Sequence, residues 1–431
     1  MSRRPIHISN LVLAGCVLAA SANGSERPAA PLSAEEAVRI GLANNHALAL
    51  VRDETAQAVL NRESGIGPFL PTVDASANHF GTIETDGTSR TTVGASAYVQ
   101  LFDGFRSTFA YRRLKTQEEA AGLREQAAVE TTVESILAAY YDTVRQKLQL
   151  AALREAVAVS RERADLARAR QDIGAGSRLE ALQALADLNA DSSALMTQEN
   201  ALREARFRLN ALLARDPATG FDVTDTIPVE AGLAAEAWRV RLMERNTTVR
   251  EARAQAAASE LAVKESRGAY LPSLTGSLNY STAPEALNET NPAGTDPVTY
   301  SLSLSVPLFN GLRTRQSTGT ARIARRRQET VLKQTEQDVR TAFAQAEGRY
   351  ASGLRQIALE ERNIEVARQQ AEAARERYRV GASSSLEFRD AQQRLLDARV
   401  RLAAVRLAAK QSEITLKRLA GTLAAPVAAE N

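Results

Sequence analysis

The hydrophobic positions between residues 311 and 419 follow the spacing of a coiled coil. On the first arm of this stretch, apolar residues recur at every seventh position: Tyr350, Ile357, Ile364, Ala371 and Tyr378. After a break at residues 381–385, the steps alternate between three and four: Leu395, Ala398, Leu402, Val405, Ala409, Ser412, Leu416 and Leu419. Such steps form the seam along which two helices pack. The first arm, of about 70 residues, would be about 105 Å long. The pattern therefore predicts a tall coiled-coil hairpin and not a compact globular domain.

The same hairpin occurs a second time, at positions 207 lower in the numbering. The segment before each hairpin also repeats, at an offset of 201. Paired positions are Gly311 with Gly104, Gly381 with Gly174, and, upstream of the hairpins, Asn246 with Asn45. A repeat of this length indicates a duplicated half, because the units of solenoid repeats are far shorter.

Between the helical segments, the period of the pattern changes to two, which is typical of β-strands. Apolar residues alternate with small polar ones at Val93, Ala95, Ala97, Val99 and Leu101, and again at Tyr300, Leu302, Leu304, Val306 and Leu308. Weaker alternation marks one partner strand in each half. The predicted strands are residues 72–80, 91–101, 273–281 and 298–308.

One face of these strands is apolar and the other is small and hydroxylic, which favours a transmembrane β-barrel. The competing interpretation is a soluble sheet with one face on a core, but no other element offers a broad apolar face to cover it. Four strands cannot close a barrel, and each open edge in lipid leaves backbone groups unpaired at several kcal/mol each. The barrel is therefore predicted to be shared between chains.

The charge and the chemistry of the side chains exclude several classes of protein. The net charge is +3, and it falls further if Arg3 and Arg4 leave with a leader, so nothing favours nucleic-acid binding. The three histidines stand in no metal-type spacing with carboxylates, and no phosphate-binding glycine motif occurs. No enzyme, cofactor or metal centre is predicted.

Residues 1–22 are predicted to be an export signal, with basic residues, an apolar run and a small-x-small site ending at Ala22. A second interpretation stays open, because Leu13-Ala14-Gly15-Cys16 matches a lipobox, in which Cys16 would be lipidated. Both interpretations export the chain. Cys16 is the one cysteine of the sequence, so no disulfide is predicted.

Several motifs together resemble the TolC family of outer-membrane efflux and secretion channels. They are Asn44-Asn45, Tyr270-Leu271-Pro272-Ser273-Leu274, Val306-Pro307-Leu308-Phe309-Asn310-Gly311, and Arg377-Tyr378-Arg379-Val380-Gly381 followed by Leu386-Glu387. The resemblance implies an α+β membrane protein that forms a homotrimer. Each chain would give four strands to a shared 12-stranded transmembrane β-barrel, continued by a long coiled-coil α-helical barrel.

The domain layout predicted from the repeat and the resemblance has five parts. These are a signal peptide at 1–22, a first structural repeat at 23–215 with its helical hairpin at about 105–213, an inter-repeat equatorial segment at 216–234, a second repeat at 235–422 with its hairpin at about 311–420, and a C-terminal tail at 423–431.

The turns of the two hairpins are the predicted functional region. Glu387 and Asp390 share one helix face at i, i+3, so three chains would form a ring of six acids that selects cations. The resemblance places these two acids at a periplasmic gate and adds Glu180 and Tyr378 to it. The plainer alternative is that acids in a first helical turn only favour the helix dipole. The resemblance also implies that an adaptor docks on the hairpin tips, at the residues Gly174, Gly176, Gly381 and Ser384.

The gate departs from the family pattern at one position. Ser383 stands where the best-known member has an arginine in the tip of the second hairpin, and Leu179 stands beside Glu180. Arg178 and Arg379 are the candidates to supply the missing contact, and no particular salt bridge is assigned.

The sequence thus predicts the exit duct of a tripartite efflux pump or type I secretion system in the outer membrane of a Gram-negative bacterium. Its partners would be a periplasmic adaptor, an inner-membrane transporter and outer-membrane lipid, with no nucleic acid. The alternative is a periplasmic adaptor with a coiled-coil hairpin of its own. The cargo, whether drug, metal or protein, stays open.

Overall fold

The computed structural model describes residues 31–81, 89–282 and 298–423. The predicted signal peptide with Cys16, the interior of both loops between paired strands, and the C-terminal tail beyond residue 423 lie outside the described residues. The helices are α1 (Ala34–Asn44), α2 (His46–Ser64), α3 (Arg106–Asp172), α4 (Arg178–Leu212), α5 (Ala235–Arg245), α6 (Thr247–Arg267), α7 (Arg313–Arg379) and α8 (Ser385–Leu419). The strands are β1 (Thr72–Gly81), β2 (Ser89–Phe102), β3 (Ser273–Thr282) and β4 (Val298–Ser305).

The four strands form one antiparallel sheet in the order β1-β2-β3-β4. The two repeats join at the centre of this sheet, where Ala97 of β2 lies opposite Leu278 of β3. Strand β4 ends at Ser305, although the apolar alternation predicted a strand to residue 308. Pro307 explains the difference, because proline has no N–H to donate to a ladder.

The two long helices have equal lengths in the two repeats. Helices α3 and α7 have 67 residues each, and α4 and α8 have 35 each. At the usual rise, 67 residues extend for about 100 Å. Each pair, α3 with α4 and α7 with α8, packs as an antiparallel hairpin with its turn far from the sheet.

The repeat is also visible in how the shorter helices begin. Asn45 caps α2 by accepting from the N–H of Leu48 at 3.1 Å, and its amide donates to the carbonyl oxygen of Leu212 at 2.9 Å. Asn246 caps α6 and donates to the carbonyl oxygen of Leu419 at 3.0 Å. The same residue type therefore ties a short helix to the end of a hairpin in each half.

Two hydrophobic cores lie midway along the hairpins. The first packs α1 and the segment around Val223 against Ile136 and Tyr140 of α3, and the Tyr140 hydroxyl donates to the carbonyl oxygen of Leu32 at 2.8 Å. The second packs α5 against Phe343 and other residues of α7. These cores hold the inter-repeat segment on the sides of the long helices.

The junction between β2 and α3 brings two backbone segments into contact at Gly104. Its φ is +71°, and a Cβ added there would lie 2.3 Å from the carbonyl oxygen of Gly268 and 2.8 Å from Cβ of Leu271. Phe105, the next residue, has φ of 65° before α3 begins. Both the left-handed conformation and the contact across the repeats therefore exclude a side chain at Gly104.

We expect Gly104→Ala to lower the free energy of unfolding by about 3 kcal/mol, since the left-handed region costs about 1–2 kcal/mol and overpacking adds about 1–3 kcal/mol. The matched control is Gly122→Ala in α3, where a Cβ meets nothing within 4 Å. This control should gain up to about 1 kcal/mol. Urea unfolding of the detergent-solubilised variants, followed by circular dichroism, measures both. Equal midpoints would contradict the prediction.

Candidate functional site at the hairpin ends

Turns of the same geometry close both helical hairpins. In the first, Gly174 has φ of +75°, and the N–H of the residue after it donates to the carbonyl oxygen of Arg170 at 2.8 Å. In the second, Gly381 has φ of +78°, and the corresponding bond to Arg377 is also 2.8 Å. A glycine in the left-handed region, followed by this bond, is a common way to end a helix.

A serine starts the second arm of each hairpin. The Ser177 hydroxyl oxygen accepts from the N–H of Glu180 at 3.1 Å, and that of Ser384 accepts from the N–H of Glu387 at 3.2 Å. Two of the predicted gate acids therefore stand at the third position of a helix. A carboxylate there interacts favourably with the helix dipole, whatever else it does.

The side chain of Tyr378 joins the end of the second hairpin to the first. Its hydroxyl donates to Oε1 of Glu180 at 3.2 Å. The guanidinium of Arg170 lies 4.5 Å from the centre of the ring and also donates to the carbonyl oxygen of Tyr378. Burial raises the pKa of Tyr378, and the Glu180 carboxylate raises it further. The hydroxyl therefore keeps its proton and remains a donor near neutral pH.

Glu387 and Asp390 lie on an exposed face at the start of α8, with 59% of each side chain exposed. An oxygen of Glu387 lies 3.9 Å from a guanidinium nitrogen of Arg377, and Asp390 pairs with Arg394 at 2.9 Å. The structure thus brings Glu180 and Tyr378 together. The ion pairs of Glu387 and Asp390 lie within the second hairpin.

Arg170 is an arginine that connects the two hairpin ends and that the sequence did not suggest. Arg379, one of the two candidates, pairs with Glu376 of its own helix at 3.2 Å. Arg178, the other, forms no ion pair within the described part of the chain. The hydroxyl of Ser383 is buried without a hydrogen-bond partner among the described residues.

A second polar site lies on the long helices beyond the turns, where it connects α8 to the first repeat. Sequence reasoning missed this site. Arg389 donates to both carboxylate oxygens of Asp191 in α4, at 2.5 and 3.0 Å. The Ser160 hydroxyl of α3 also donates to Asp191, at 2.5 Å. The amide of Gln392 donates to Ser160 at 3.0 Å. Three helices therefore share one carboxylate.

The same site contains a fully buried guanidinium. The side chain of Arg163 is 0% exposed and pairs with Asp187 at 2.5 Å. Its Nε and Nη1 atoms have no hydrogen-bond partner among the described residues. Asp187 also lies 3.9 Å from Arg389, so two arginines and two aspartates form one neutral group. A buried charge is tolerated only when it is paired in this way.

The heptad of α4 contains the signal that would have located this site. Its buried residues include Ala184, Asp191, Gln198 and Ala205, which are seven positions apart. A polar residue at a buried seam position of a coiled coil fixes the register at a cost in stability. Asp191 and Gln198 could therefore have been singled out from spacing alone.

The described residues contain neither a candidate metal site nor a helix that could cross a membrane. Within residues 31–81, 89–282 and 298–423, His, Cys, Asp and Glu side chains form no group of three or more that could hold a metal ion. None of the helices in those ranges combines the length and the apolar composition needed to cross a membrane. His79 forms a hydrogen bond with Thr91 at 2.9 Å.

A four-stranded antiparallel sheet continued by two helical hairpins defines a class of outer-membrane channels that extend into the periplasm. The family described as "Outer membrane efflux protein" matches residues 38–215 and 238–422, which is one match in each repeat. The chain belongs to the outer membrane efflux protein family. Its members are channel proteins and not enzymes. The predicted resemblance to TolC and the predicted fold class are confirmed, and the alternative of a periplasmic adaptor is excluded.

The chain is also similar to individual proteins. Protein CyaE of Bordetella pertussis is 28% identical over 328 residues, which cover 72% of this chain and 67% of CyaE. The pyoverdine export outer membrane protein OpmQ of Pseudomonas aeruginosa is 28% identical over 412 residues, covering 87% of this chain and 81% of OpmQ. The crystal structure of the outer membrane protein VceC of Vibrio cholerae superposes with a TM-score of 0.80 at 16% identity, covering 90% of this chain and 96% of VceC.

Proposed function

We propose that three copies of this chain form the passive exit duct of a tripartite exporter. The observation that carries the proposal is the four-stranded sheet, whose outer strands β1 and β4 each have one edge facing away from the sheet. Three such sheets would close into a barrel of 12 strands without an open edge, as a membrane requires. The hairpins of 67- and 35-residue helices would continue this barrel as a tunnel across the periplasm.

The division of labour along the chain follows from this assembly. Repeats 23–215 and 235–422 would each supply one hairpin to the tunnel wall, so three chains give a ring of six. Segment 216–234, which packs on both long helices through Val223 and Glu230, would be an equatorial belt. A belt midway along the hairpins would hold the long helices together there and leave the hairpin ends free to move.

The hairpin ends are the proposed periplasmic gate. The bond from Tyr378 to Glu180 joins the second hairpin to the first and would hold the closed state. Glu387 and Asp390, both well exposed, would supply the ring of acids at the aperture. A cation entering the tunnel would then meet six carboxylates in a narrow space.

The tips of the hairpins would receive the partner proteins. Gly174, Gly176, Gly381 and Ser384 lie in the two turns, and Gly174 and Gly381 are open enough that an added Cβ would meet nothing within 4 Å. The open surface at these two glycines is where a periplasmic adaptor would place its own hairpin. The adaptor would connect the duct to an inner-membrane transporter, which provides the energy.

For the cargo, we propose an organic solute. The support is the likeness to OpmQ, a pyoverdine export protein, over 87% of the chain. A gene deletion that leaves secreted proteins unchanged and raises the intracellular level of a siderophore or a drug would support this cargo. Loss of a secreted protein alone would instead assign the chain to type I secretion.

Extraction of the outer membrane tests the duct itself. We expect a trimer in detergent that dissociates only on heating, and stepwise ion conductance when this trimer is added to a planar lipid bilayer. A soluble monomer that is stable without detergent would refute the proposal. The chain would still belong to the family, but it would not form the proposed trimeric duct.

We expect Tyr378→Phe to increase the time that single channels spend open by about tenfold, because a hydrogen bond to a charged group contributes about 1.5–3 kcal/mol. Single-channel recording at pH 7 measures this ratio. Tyr270→Phe is the control, since Tyr270 is 53% exposed and lies at the opposite end of the hairpins, near the sheet. If the open times of the two variants are equal, the Tyr378 hydroxyl does not hold the gate closed.

A further inference from the structure

The part of α7 next to the sheet carries an excess of positive charge. Residues 313–327 contain no acid and six arginines: Arg313, Arg315, Arg322, Arg325, Arg326 and Arg327. The first acid of α7 is Glu329, which pairs with Arg325 at 3.2 Å. The other arginines of this group form no ion pair with any residue in the described part of the chain. So much unpaired charge of one sign favours an anionic partner from outside the chain.

Three of these arginines form a stripe along one face of the helix. Arg315, Arg322 and Arg326 are seven and four residues apart, which places them one above the other. All three are exposed. The face on the other side of α7, with Ser317 and Ala324, lines a cavity that α7 shares with α3 and α6. The arginine stripe therefore points away from this cavity.

The curvature of the helix layer shows which side of the molecule the stripe occupies. Helices α2, α3, α6 and α7 pack side by side in this order. Arg124 of α3 reaches both Glu54 of α2 and Glu251 of α6, at 3.5 and 3.7 Å, on the side of the cavity. Helices that are not neighbours approach each other only on the concave side of a layer. The cavity thus marks the concave side, and the stripe lies on the convex side, which faces outward in the proposed tube.

The first repeat shows that this face stays open when a helix has neighbours on both sides. The counterparts of Arg322 and Arg326 are Lys115 and Glu119 of α3. Helix α3 packs between α2 and α6, and yet both side chains are exposed. In α3, however, one charge of each sign is present. The excess of positive charge on the outward face therefore belongs to α7 alone.

The stripe begins where the apolar surface of the sheet ends. Leu308 and Phe309, just before α7, are 93% and 82% exposed. Along the helix axis, Arg322 and Arg326 lie only about 10 and 17 Å beyond Arg315. The Cα–Cβ bonds of a helix tilt toward its N-terminus, which is the sheet end of α7, so these long side chains extend back toward the membrane. The charges lie within about one Debye length, about 10 Å, of a headgroup layer there.

The start of α7 also lacks the carboxylate that caps α3. Asp103 accepts hydrogen bonds from the N–H and the hydroxyl of Ser107, at 2.7 and 2.5 Å. Its counterpart is Asn310, whose neutral amide donates to the hydroxyl of Thr314. A carboxylate at this position would repel an approaching phosphate. The positive end of the helix dipole of α7 is thus left available to an anion.

A cavity at the same joint combines apolar and polar walls. Its apolar lining includes Tyr270, Leu308 and Phe309, and its polar lining consists of Asn310, Thr314 and Arg315. The first residue of the arginine stripe therefore borders both a cavity and the exposed apolar surface. This combination suits a molecule with an anionic group attached to an apolar chain.

We propose that the stripe of Arg315, Arg322 and Arg326 binds the phosphate headgroups of anionic phospholipids in the periplasmic leaflet of the outer membrane. Guanidinium groups bind phosphate oxygens with strong, charge-assisted hydrogen bonds. Each chain contributes one stripe, so the duct carries three such sites around its outer surface. The inference rests on the proposed function, because the outward face of α7 is defined by the closed tube.

A lipid titration of the purified trimer tests the site. Short-chain phosphatidylglycerol and phosphatidylcholine with the same acyl chains are added to the trimer in detergent, and the bound lipids are counted by native mass spectrometry. Wild type should bind phosphatidylglycerol at least about tenfold more tightly. Arg315→Gln, Arg322→Gln and Arg326→Gln together should weaken its binding by about 100-fold, because each basic residue near an anionic lipid surface contributes roughly fivefold.

The matched control removes the same charge from a lower part of α7. Arg340, Arg349 and Arg355 are exposed and form no ion pair within the described residues. Arg340 is the nearest of them to the sheet, and it lies about 21 Å beyond Arg326, or about two Debye lengths. Replacing all three by glutamine should leave the binding of phosphatidylglycerol unchanged. Trimers of all variants are isolated by size first, so that only assembled protein is compared.

The possible results separate the inference from the proposed function. A conducting wild-type trimer that binds both lipids equally, or a stripe variant that binds phosphatidylglycerol like the control, would overturn the inference alone. Displacement of the lipid by an equal amount of inorganic phosphate would overturn it as well, since the site would then take a free anion. Loss of a copurified protein with unchanged lipid binding would assign the stripe to a protein partner instead. A wild-type monomer in detergent would overturn the proposed function.

Discussion

Replacing Glu387 and Asp390 together by alanine should weaken the block of channel current by trivalent cations by about tenfold or more, because rings of carboxylates set the affinity of a pore for cations. The two side chains are exposed on the first turns of α8, so three chains would place six carboxylates near the pore axis. Planar-bilayer recordings with increasing concentrations of a trivalent cation on the periplasmic side measure the block.

The control for this experiment removes two other exposed acids. Glu365 and Glu372 both pair with Arg368 on α7 and lie away from the turn. Their replacement by alanine should leave the block unchanged. If the double variant at Glu387 and Asp390 is blocked as strongly as wild type, the two acids serve only the start of the helix, as the plainer alternative has it.

Replacing Asp191 by alanine should open the contact between the two repeats, because removing one partner of a buried ion pair costs about 3–5 kcal/mol. Asp191 is 7% exposed and accepts hydrogen bonds from Arg389 and Ser160. Without it, two arginines share the single carboxylate of Asp187. Hydrogen exchange of backbone amides in α3 and α8 near this site should become at least about 100-fold faster, because the opening equilibrium constant rises about tenfold for each ~1.4 kcal/mol of opening free energy that is lost.

An exposed ion pair provides the comparison. Arg406 and Glu361 pair at 2.7 Å within the second hairpin, and their side chains are 34% and 49% exposed. Glu361→Ala should change the local opening free energy by at most about 1 kcal/mol. Adding Arg389→Met to Asp191→Ala should recover part of the lost protection, since it removes the second of two partly or fully buried arginines that would otherwise share Asp187. Equal exchange in the Asp191 and Glu361 variants would rule out a special role for the buried site.

The large features of the fold could be predicted because each depends on a period within one segment. Steps of three and four specify a coiled-coil seam, and steps of two specify a strand, without knowledge of distant residues. The duplication is likewise visible in the order of residues alone. The end of β4 was predicted too late because the apolar alternation through Leu308 outweighed the effect of Pro307 on the ladder.

The candidate site was harder to predict, because it depends on which helices meet. Tyr378 and Glu180 are 198 residues apart in sequence, and the resemblance to a family, not any local pattern, suggested that they act together. Arg170 was missed because nothing near it in sequence indicates that it reaches Tyr378 of the other hairpin. The roles of Glu180, Tyr378, Glu387 and Asp390 in a gate stay predictions.

The matched arms of the two repeats constrain how such a chain can evolve. Since α3 equals α7 in length and α4 equals α8, all hairpin ends lie at the same depth below the sheet. In the proposed trimer, an insertion of one heptad in both arms of a single hairpin would leave three of six ends protruding, and a partner that binds all six ends at one level could no longer do so. Changes in the length of the hairpins should therefore arise by paired insertions in both halves. Related chains from cells with envelopes of different thickness should then differ by the same number of residues in each repeat.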